Sequence, residues 1–369
     1  MRKAPLPRGE PDNKTTPSEG RPLRPTLRDV GARAGVDPSI VSRVLGGEDW
    51  RVSAATRGRI DEAVRTLNYV PHKVGRALRT GETETIAMLV PHIGDPAYFQ
   101  MMAGAKAAAT EANYVVLFVD TNDDEALEVE EVDRLFGRVD GVVSATARRG
   151  SASLARLKAS VMPVVLLNRR ADSGFPSVVG QDAYGATVAV SHLAQLGHSR
   201  IAHLSGPPTL DSSERQRAGY LQAMADAQVA VDPAWLVESE LDEEAAAASL
   251  RGILRLPKSR RPTALFASAF PSALGALRTL RSKGIEVPAE ISVVGFGDHP
   301  LADHLWAPLT TIRMPHVAMG RLAVDRLISL IRRNAIPMET VVTDLPVLVI
   351  RGSTDRPLGR RPLVRQGQN

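Results

Sequence analysis

From Thr85 onward the chain alternates short apolar runs with helix-length stretches. The runs read TIAMLVP, YVVLFVD, GVVSA, PVVLLN, RIAHLSG, TALFAS and ISVVGF. A short run without polar alternation is a strand buried on both faces, and helix-length spacing between such strands marks parallel βαβ units. Residues 85–350 suffice for two sheets of this kind. Ligands of open parallel sheets bind at the carboxyl ends of the strands, so a cleft between two α/β lobes is expected.

Before Thr85 the pattern is helical and the helices are short. Thr26-Leu-Arg-Asp29 has the form of a capping box, predicting a helix from Leu27 to Ala34 that Gly35 ends. Asp37-Pro38 is a second start signal, with Asp as N-cap and Pro in the first turn, and predicts a helix from Pro38 to Leu45. After the turn-like Gly46-Gly47-Glu48-Asp49, Ser53 can cap a third helix that puts Ile60, Val64 and Leu67 on one face. Pro71 opens a fourth, His72 to Arg79, too short to be stable alone. The expected organisation is an all-α helix-turn-helix headpiece at 25–70, a hinge helix and linker at 71–84, and the two-lobed α/β domain at 85–350. Residues 1–24, rich in Pro, Gly, Thr and charge, are expected to be disordered. Residues 351–369 form a basic tail with no apolar heptad, so no oligomerising coiled coil is expected there.

Composition narrows the function. Of 369 residues 43% are hydrophobic and 24% charged, as in a globular protein. No run approaches the length of a membrane span, and the basic start MRKAPLPRGEPDNKTTPSEG lacks the apolar segment of an export signal. A bacterial cytoplasmic location follows as an expectation, with nucleoid association when bound to DNA; the absence of cysteine is compatible with it. The net charge of +5 is unevenly spread. Residues 1–81 hold 16 Lys and Arg against 9 Asp and Glu, residues 82–350 hold 25 against 31, and the tail holds 5 against 1. The segment suited to a polyanion is the N-terminal one, although a basic arm can also be merely solvated.

The segments Thr26-LRDVGARAGVDPSIVSRVLGG, Val52-SAATRGRIDEAVRTLNYVPHKVGRALRT, Leu196-GHSRIAHLSGP, Ile291-SVVGFGD and Leu309-TTIR, in this order, resemble the LacI/GalR-type (lactose-repressor) family of bacterial transcriptional regulators. The resemblance implies a core like that of periplasmic sugar-binding proteins, and a homodimer on double-stranded, pseudo-palindromic operator DNA. It also implies control by a small-molecule effector, with repression the commoner outcome. Matching family positions make Pro38, Ser39, Ile40, Ser42 and Arg43 the groove-facing residues, while Val41 and Val44 face inward. Arg43 suits bidentate contact with guanine and Ile40 a thymine methyl; a phosphate contact or a solvated charge is the alternative for Arg43. Thr26, Ser53, Thr56 and Tyr69 match sugar-phosphate contacts, with pure capping the alternative for Thr26 and Ser53. Leu78, with Ala77 before it, matches the hinge leucine that wedges into the minor groove. Gly75 stands where Ala is more usual, which weakens that helix.

The implied effector residues are Asp95 and Phe99 after the first strand, Asn168 and Arg169 after the fourth, then Gln181, Asp182, Arg215, Phe270 and Asp298. Several depart from the sugar-binding pattern. Ala269-Phe270 replaces Asn-Asp, Gly297 replaces an Asp, and Gln216 replaces the usual Arg, with Arg215 and Arg217 beside it. A polyol needs dense acceptors, so an aromatic, less hydroxylated or mixed-polarity effector is expected, or a cleft that has ceased to sense. The headpiece departs too, with Gly46 in place of Asn and a longer Glu48-Asp49-Trp50-Arg51 loop.

No cofactor or metal is expected. His198 and His203, and His299 with Asp303 and His304, lack a three-ligand spacing and read as surface or supporting histidines. Gly295-Phe-Gly297 lacks the third glycine of a dinucleotide loop, and no P-loop, nucleophile elbow or carboxylate pair points to an enzyme. The competing readings are a solute-binding protein of a transport system, which should carry a signal peptide and no helix-turn-helix, and a sugar-modifying α/β enzyme.

Overall fold

The computed structural model describes residues 25–46, 52–70, 81–171 and 174–358. They form two compact units that divide between Gly81 and Glu82.

The described residues of the first unit form three helices, α1 (Leu27–Ala34), α2 (Pro38–Leu45) and α3 (Ala54–Thr66). Thr26 and Asp29 form the reciprocal capping box at α1, and Gly35 closes that helix in the left-handed region at φ 65°. The Asp37 carboxylate accepts from the Ser39 amide at 2.8 Å and starts α2. Val30, Ala34, Val41, Val44, Ile60, Ala63 and Tyr69 form the core between the helices. The expected hinge helix, with Gly75, Ala77 and Leu78, and the loop from Gly47 to Arg51 lie outside the described residues.

The second unit contains two six-stranded sheets. In lobe 1 the strands are β1 (Thr85–Val90), β2 (Val115–Asp120), β3 (Gly141–Ser144), β4 (Val164–Leu167), β5 (Ser177–Val179) and β11 (Glu339–Val341), in spatial order β11-β5-β4-β3-β1-β2. In lobe 2 they are β6 (Ile201–Ser205), β7 (Leu236–Glu238), β8 (Ala264–Ala267), β9 (Ser292–Phe296), β10 (Thr310–Arg313) and β12 (Val347–Val349), ordered β12-β10-β9-β8-β6-β7. All seven sequence-predicted runs are strands. Pairing is parallel except that β12 runs antiparallel to β10, an edge the sequence reading did not anticipate.

Both faces of each sheet are covered. On β1, Ile86, Met88 and Val90 face α4 (Pro96–Glu111) and α11 (His316–Ile331). Ala87 and Leu89 face the opposite way, onto α5 (Glu125–Leu135) and α6 (Ala152–Ala159). In lobe 2, α7 (Asp182–Gln195) and α8 (Asp211–Asp226) cover one face, and α9 (Glu243–Ile253) and α10 (Phe270–Ser282) the other. Helices α4 and α11 cross so closely that a Cβ on Gly104 would meet the Val317 carbonyl at 2.0 Å, and one on Gly320 the Met101 carbonyl at 1.9 Å. No side chain fits at either place.

The lobes are not consecutive in sequence. The chain passes from lobe 1 to lobe 2 after β5, returns after β10 so that α11 and β11 complete lobe 1, and crosses again to place β12 in lobe 2. The first part of the expected tail is also built into lobe 2. Ser353 is fully buried, donating to the Val293 carbonyl at 2.6 Å and accepting from the Thr310 amide at 2.8 Å. The domain therefore extends past residue 350, because the strand partners of lobe 2 need these groups to satisfy their own backbone.

Candidate functional site

In the headpiece, the period of α2 divides its side chains as the sequence predicts. Val41 and Val44 point into the core, while Ser39 and Arg43 are exposed and Ser42 is half-buried. Pro38 is half-buried, and Ile40 packs partly against the core, leaving only part of it for an outside contact. Thr26 and Ser53 are caps, each accepting from the amide three residues on, and Thr56 Oγ1 lies 3.0 Å from Ser53 Oγ. Capping uses the hydroxyl oxygen as acceptor and leaves each residue at an exposed helix start. Tyr69 differs from expectation: it is buried in the core of the three helices, since the turn after α3 folds it under rather than out.

In the two-lobed unit, the residues after β1, β4, β5, β8 and β9 converge on a cleft with two compartments. The inner one, about 60 Å³, is lined by Asp95, Tyr98, Asn168, Asp182, Gln216, Ala269, Phe270, Phe296, Asp298 and His316 among others. The outer one, about 490 Å³, is lined by His92, Asp95, Tyr98, Asp123, Arg148, Arg169, Glu240 and Leu241 among others. Asp95, Tyr98 and Leu241 form the partition shared by both. Asp95 caps α4 by accepting from the Ala97 amide at 2.8 Å, and burial pushes its carboxyl up from the ordinary range.

Five of the nine expected effector residues line the inner compartment, Asp95, Asn168, Asp182, Phe270 and Asp298, and Arg169 lines the outer. The remaining three are placed differently. Phe99 is 62% exposed and lines neither compartment; the cleft aromatic is its neighbour Tyr98, because successive helix residues point about 100° apart. The Gln181 amide donates to the carbonyls of Val342 and Thr343, on the third crossover, at 3.2 and 3.4 Å. Arg215 does not replace the missing cleft arginine. It is paired with Asp182 at 2.7 Å and with Asp211, and donates to the Asn168 carbonyl of the other lobe at 3.0 Å.

Asp298 is similarly committed. Its carboxylate accepts from Thr311 Oγ1 at 2.7 Å and pairs with Arg313 at 2.7 Å and Arg351 at 2.9 Å. Burial opposes its ionisation, yet the bonds from Thr311, Arg313 and Arg351 hold its carboxyl below the ordinary range. For Asp182, burial pushes the carboxyl up while Arg215 draws it back. His316, which the sequence reading missed, lines the inner compartment with its Nδ1 buried and unbonded, and burial holds its ring neutral down to about pH 4. Gln216 Oε1 is likewise buried and unbonded. His316 follows the quoted Leu309-TTIR segment by three residues and Gln216 stands where Arg is usual, and neither was counted among the expected contacts.

The lobes also touch through polar contacts beside the cleft. Gln100 Nε2 donates to the Asp298 carbonyl at 2.8 Å, the Arg170 amide donates to Asp211 at 3.1 Å, and Arg149 pairs with Glu214 at 2.7 Å. These groups can exchange for water if the lobes part. Of the histidines considered for a metal, His198 and His203 are buried core residues, whereas His299 is half-buried and His304 exposed. His198 is bonded to Thr263, Ser292 and the Asp355 carbonyl, and His203 stacks on Phe266. Among the described residues no group of three potential ligands is placed to hold a metal ion.

Comparison with known proteins agrees with this architecture. Residues 26–72 match the model of bacterial regulatory proteins of the lacI family, and residues 190–354 match a periplasmic binding protein-like domain. The transcriptional repressor CytR of Escherichia coli strain K12 is 31% identical over 331 residues, covering 89% of this chain and 96% of its own. The transcriptional repressor PurR of Aliivibrio fischeri strain MJ11 is 31% identical over 310 residues, covering 83% and 92%. The crystal structure of the lac repressor dimer bound to operator and an anti-inducer matches with a TM-score of 0.78 at 27% identity, covering 89% of this chain and 99% of that one. With its helix-turn-helix, its two-lobed core and relatives matched over nearly their whole length, the chain belongs to the LacI family of bacterial regulatory proteins.

Proposed function

We propose that the protein is a sequence-specific, effector-controlled transcriptional repressor that binds operator DNA as a homodimer and catalyses no reaction. The observation that carries this reading is the division of α2. Its two valines are buried, which leaves Ser39, Ser42 and Arg43 available on a capped helix of a basic segment, as a major-groove reader requires. Thr26, Ser53 and Thr56 stand at helix starts, where hydroxyls and free amides suit phosphate oxygens. The lac repressor structure is a dimer bound to operator and to a small anti-inducer, and the family membership supports carrying these partners over.

The cleft at the strand ends is the effector site in this reading, with Asp95, Tyr98, Asn168, Arg169 and Phe270 as the residues that meet the ligand. Arg215 and Asp298 hold the surrounding elements instead. An effector can switch DNA binding only through a different affinity for the open and closed arrangements of the lobes. The polar contacts between the lobes are what such a ligand would reinforce or replace. A cytoplasmic location fits these roles, and among the described residues no helix is long and apolar enough to cross a membrane.

The test is selection of genomic DNA fragments by purified protein at physiological salt, for wild type and Arg43→Ala. A pseudo-palindrome bound by wild type and weakened by about 1–3 kcal/mol at one base position in the variant supports the reading. Salt-sensitive binding with no sequence preference, unchanged in the variant, would refute it.

A further inference from the structure

Arginines around the cleft are paired with carboxylates. Arg148 pairs with Asp123, Arg149 with Glu214, Arg170 with Glu339, Arg215 with Asp182 and Asp211, Arg313 with Asp298, and Arg351 with Asp298 and Asp303. Arg169 is the exception. It is only 3% exposed, yet no described carboxylate comes within ion-pair distance of its guanidinium. Two of its nitrogens are held in place, one by the Thr146 carbonyl at 3.2 Å and one by the Tyr98 hydroxyl at 2.9 Å. Its Nε is buried with no partner. The residue before it, Asn168, is neutral.

A buried cation without a counter-ion is costly and is seldom retained without a use. Arg169 is both fixed in orientation and open to the outer compartment. We infer that the effector carries an anionic group, a carboxylate or a phosphate, that seats against Arg169. The inference rests on the cleft being the effector site.

The carboxylates that share the outer compartment do not fill this role. Asp123 is committed to Arg148, Glu125 accepts from the Ala152 amide, and Asp242 accepts from the Ala245 amide. Glu240 is exposed at the rim, where water and salt screen it. Asp95 stands on the partition with one oxygen on the Ala97 amide; burial pushes its carboxyl up while the Ala97 amide and the charges of His92 and Arg169 draw it back, and it makes no ion pair with the Arg169 guanidinium. A neutral polyol would leave the guanidinium charge uncompensated as the lobes exclude water; an anion satisfies it with strong, charge-assisted hydrogen bonds.

The experiment is calorimetric titration of the full-length protein with acids each matched to an uncharged analogue. Phenylacetate with 2-phenylethanol forms the carboxylate arm, and ribose 5-phosphate with ribose the phosphate arm, within a wider set of metabolites paired in the same way. The expected result is an anion bound at least about tenfold more tightly than its neutral partner, with that preference lost in Arg169→Gln and partly kept in Arg169→Lys. The arm that responds identifies the anion. A neutral compound bound as well as its acid, or an anion preference that survives in Arg169→Gln, would overturn the inference while leaving the effector site standing. No binding by any compound, with operator binding intact, would remove the effector reading itself and the inference with it.

Melting of the ligand-free protein is an independent check. Relieved of an unpaired charge, Arg169→Met should melt at or above the wild-type temperature. A fall of more than about 4 °C would make Arg169 a structural anchor and overturn the inference.

Discussion

Asp298 shows how the same residue can read as a ligand contact and serve as a structural tie. Three donors on β10 and the segment after β12 converge on its carboxylate, and two are arginines whose charges it balances. Asp298→Asn should destabilise the protein by about 2–4 kcal/mol at pH 7, because it removes the carboxylate buried beside Arg351 and leaves that arginine only the exposed Asp303 as a counter-charge. Since the folded carboxyl titrates below its unfolded value, this stabilisation is present above pH 4 and lost as pH falls further. Urea midpoints for wild type and variant should therefore draw together as pH falls below about 4. Buried histidines act in a different window. Burial lowers His203 to about 3 and His316 to about 4, whereas both titrate near 6.5 when unfolded. The unfolded chain thus binds more protons as pH falls below 6.5, and stability should drop by about 2 kcal/mol for each histidine by pH 5. His203→Phe should remove about 2 kcal/mol of that fall between pH 7 and pH 5, read from urea midpoints at several pH values; an unchanged slope would contradict it. Which residues line the cleft was partly legible, because strand ends can be read from apolar runs. That Tyr98 rather than Phe99 faces in, and that Arg215 is engaged by Asp182 and Asp211, depends on helix phase and on a partner in another helix, which a local pattern does not carry.

At the scale of elements, legibility followed the range of the signal. The headpiece helices follow from caps and turns within a few residues, and both α1 and α2 match their predicted bounds. Five strands went unread: β5, β7, β11 and β12 have only three residues each, too few for a run or an alternation to register, and β10, Thr-Thr-Ile-Arg, is too polar to stand out as an apolar run. Their place is set by long-range pairing. The crossing of α4 and α11 is another long-range feature. Glycines 104 and 320 lie on different helices, and each lets the other helix's backbone approach. Gly320→Ala should cost about 3 kcal/mol by forcing the helices apart. Chemical denaturation measures this, and a loss below about 1 kcal/mol would mean that α11 shifts without strain. Lobe 1 would bear the change first, since α11 covers one face of its sheet.

At the scale of the whole molecule, charge and topology impose separate constraints. The basic headpiece segment should make operator affinity fall steeply with salt, by roughly 10³-fold or more between 50 and 200 mM if six or more phosphates are neutralised. Arg43→Ala should lower affinity and leave that slope nearly unchanged if Arg43 reads a base, whereas loss of a phosphate contact would reduce it by about one. Filter binding across a salt series distinguishes the two. The three passages between lobes have a consequence for how the chain is made. Lobe 1 begins at β1 but is closed by α11 and β11, so no ribosome can release it as a finished unit before nearly all of lobe 2 has emerged. A nonsense codon near residue 300 would therefore spoil both lobes at once, and such a fragment, with its headpiece already made, would keep the DNA-reading helices while lacking the part that could be instructed.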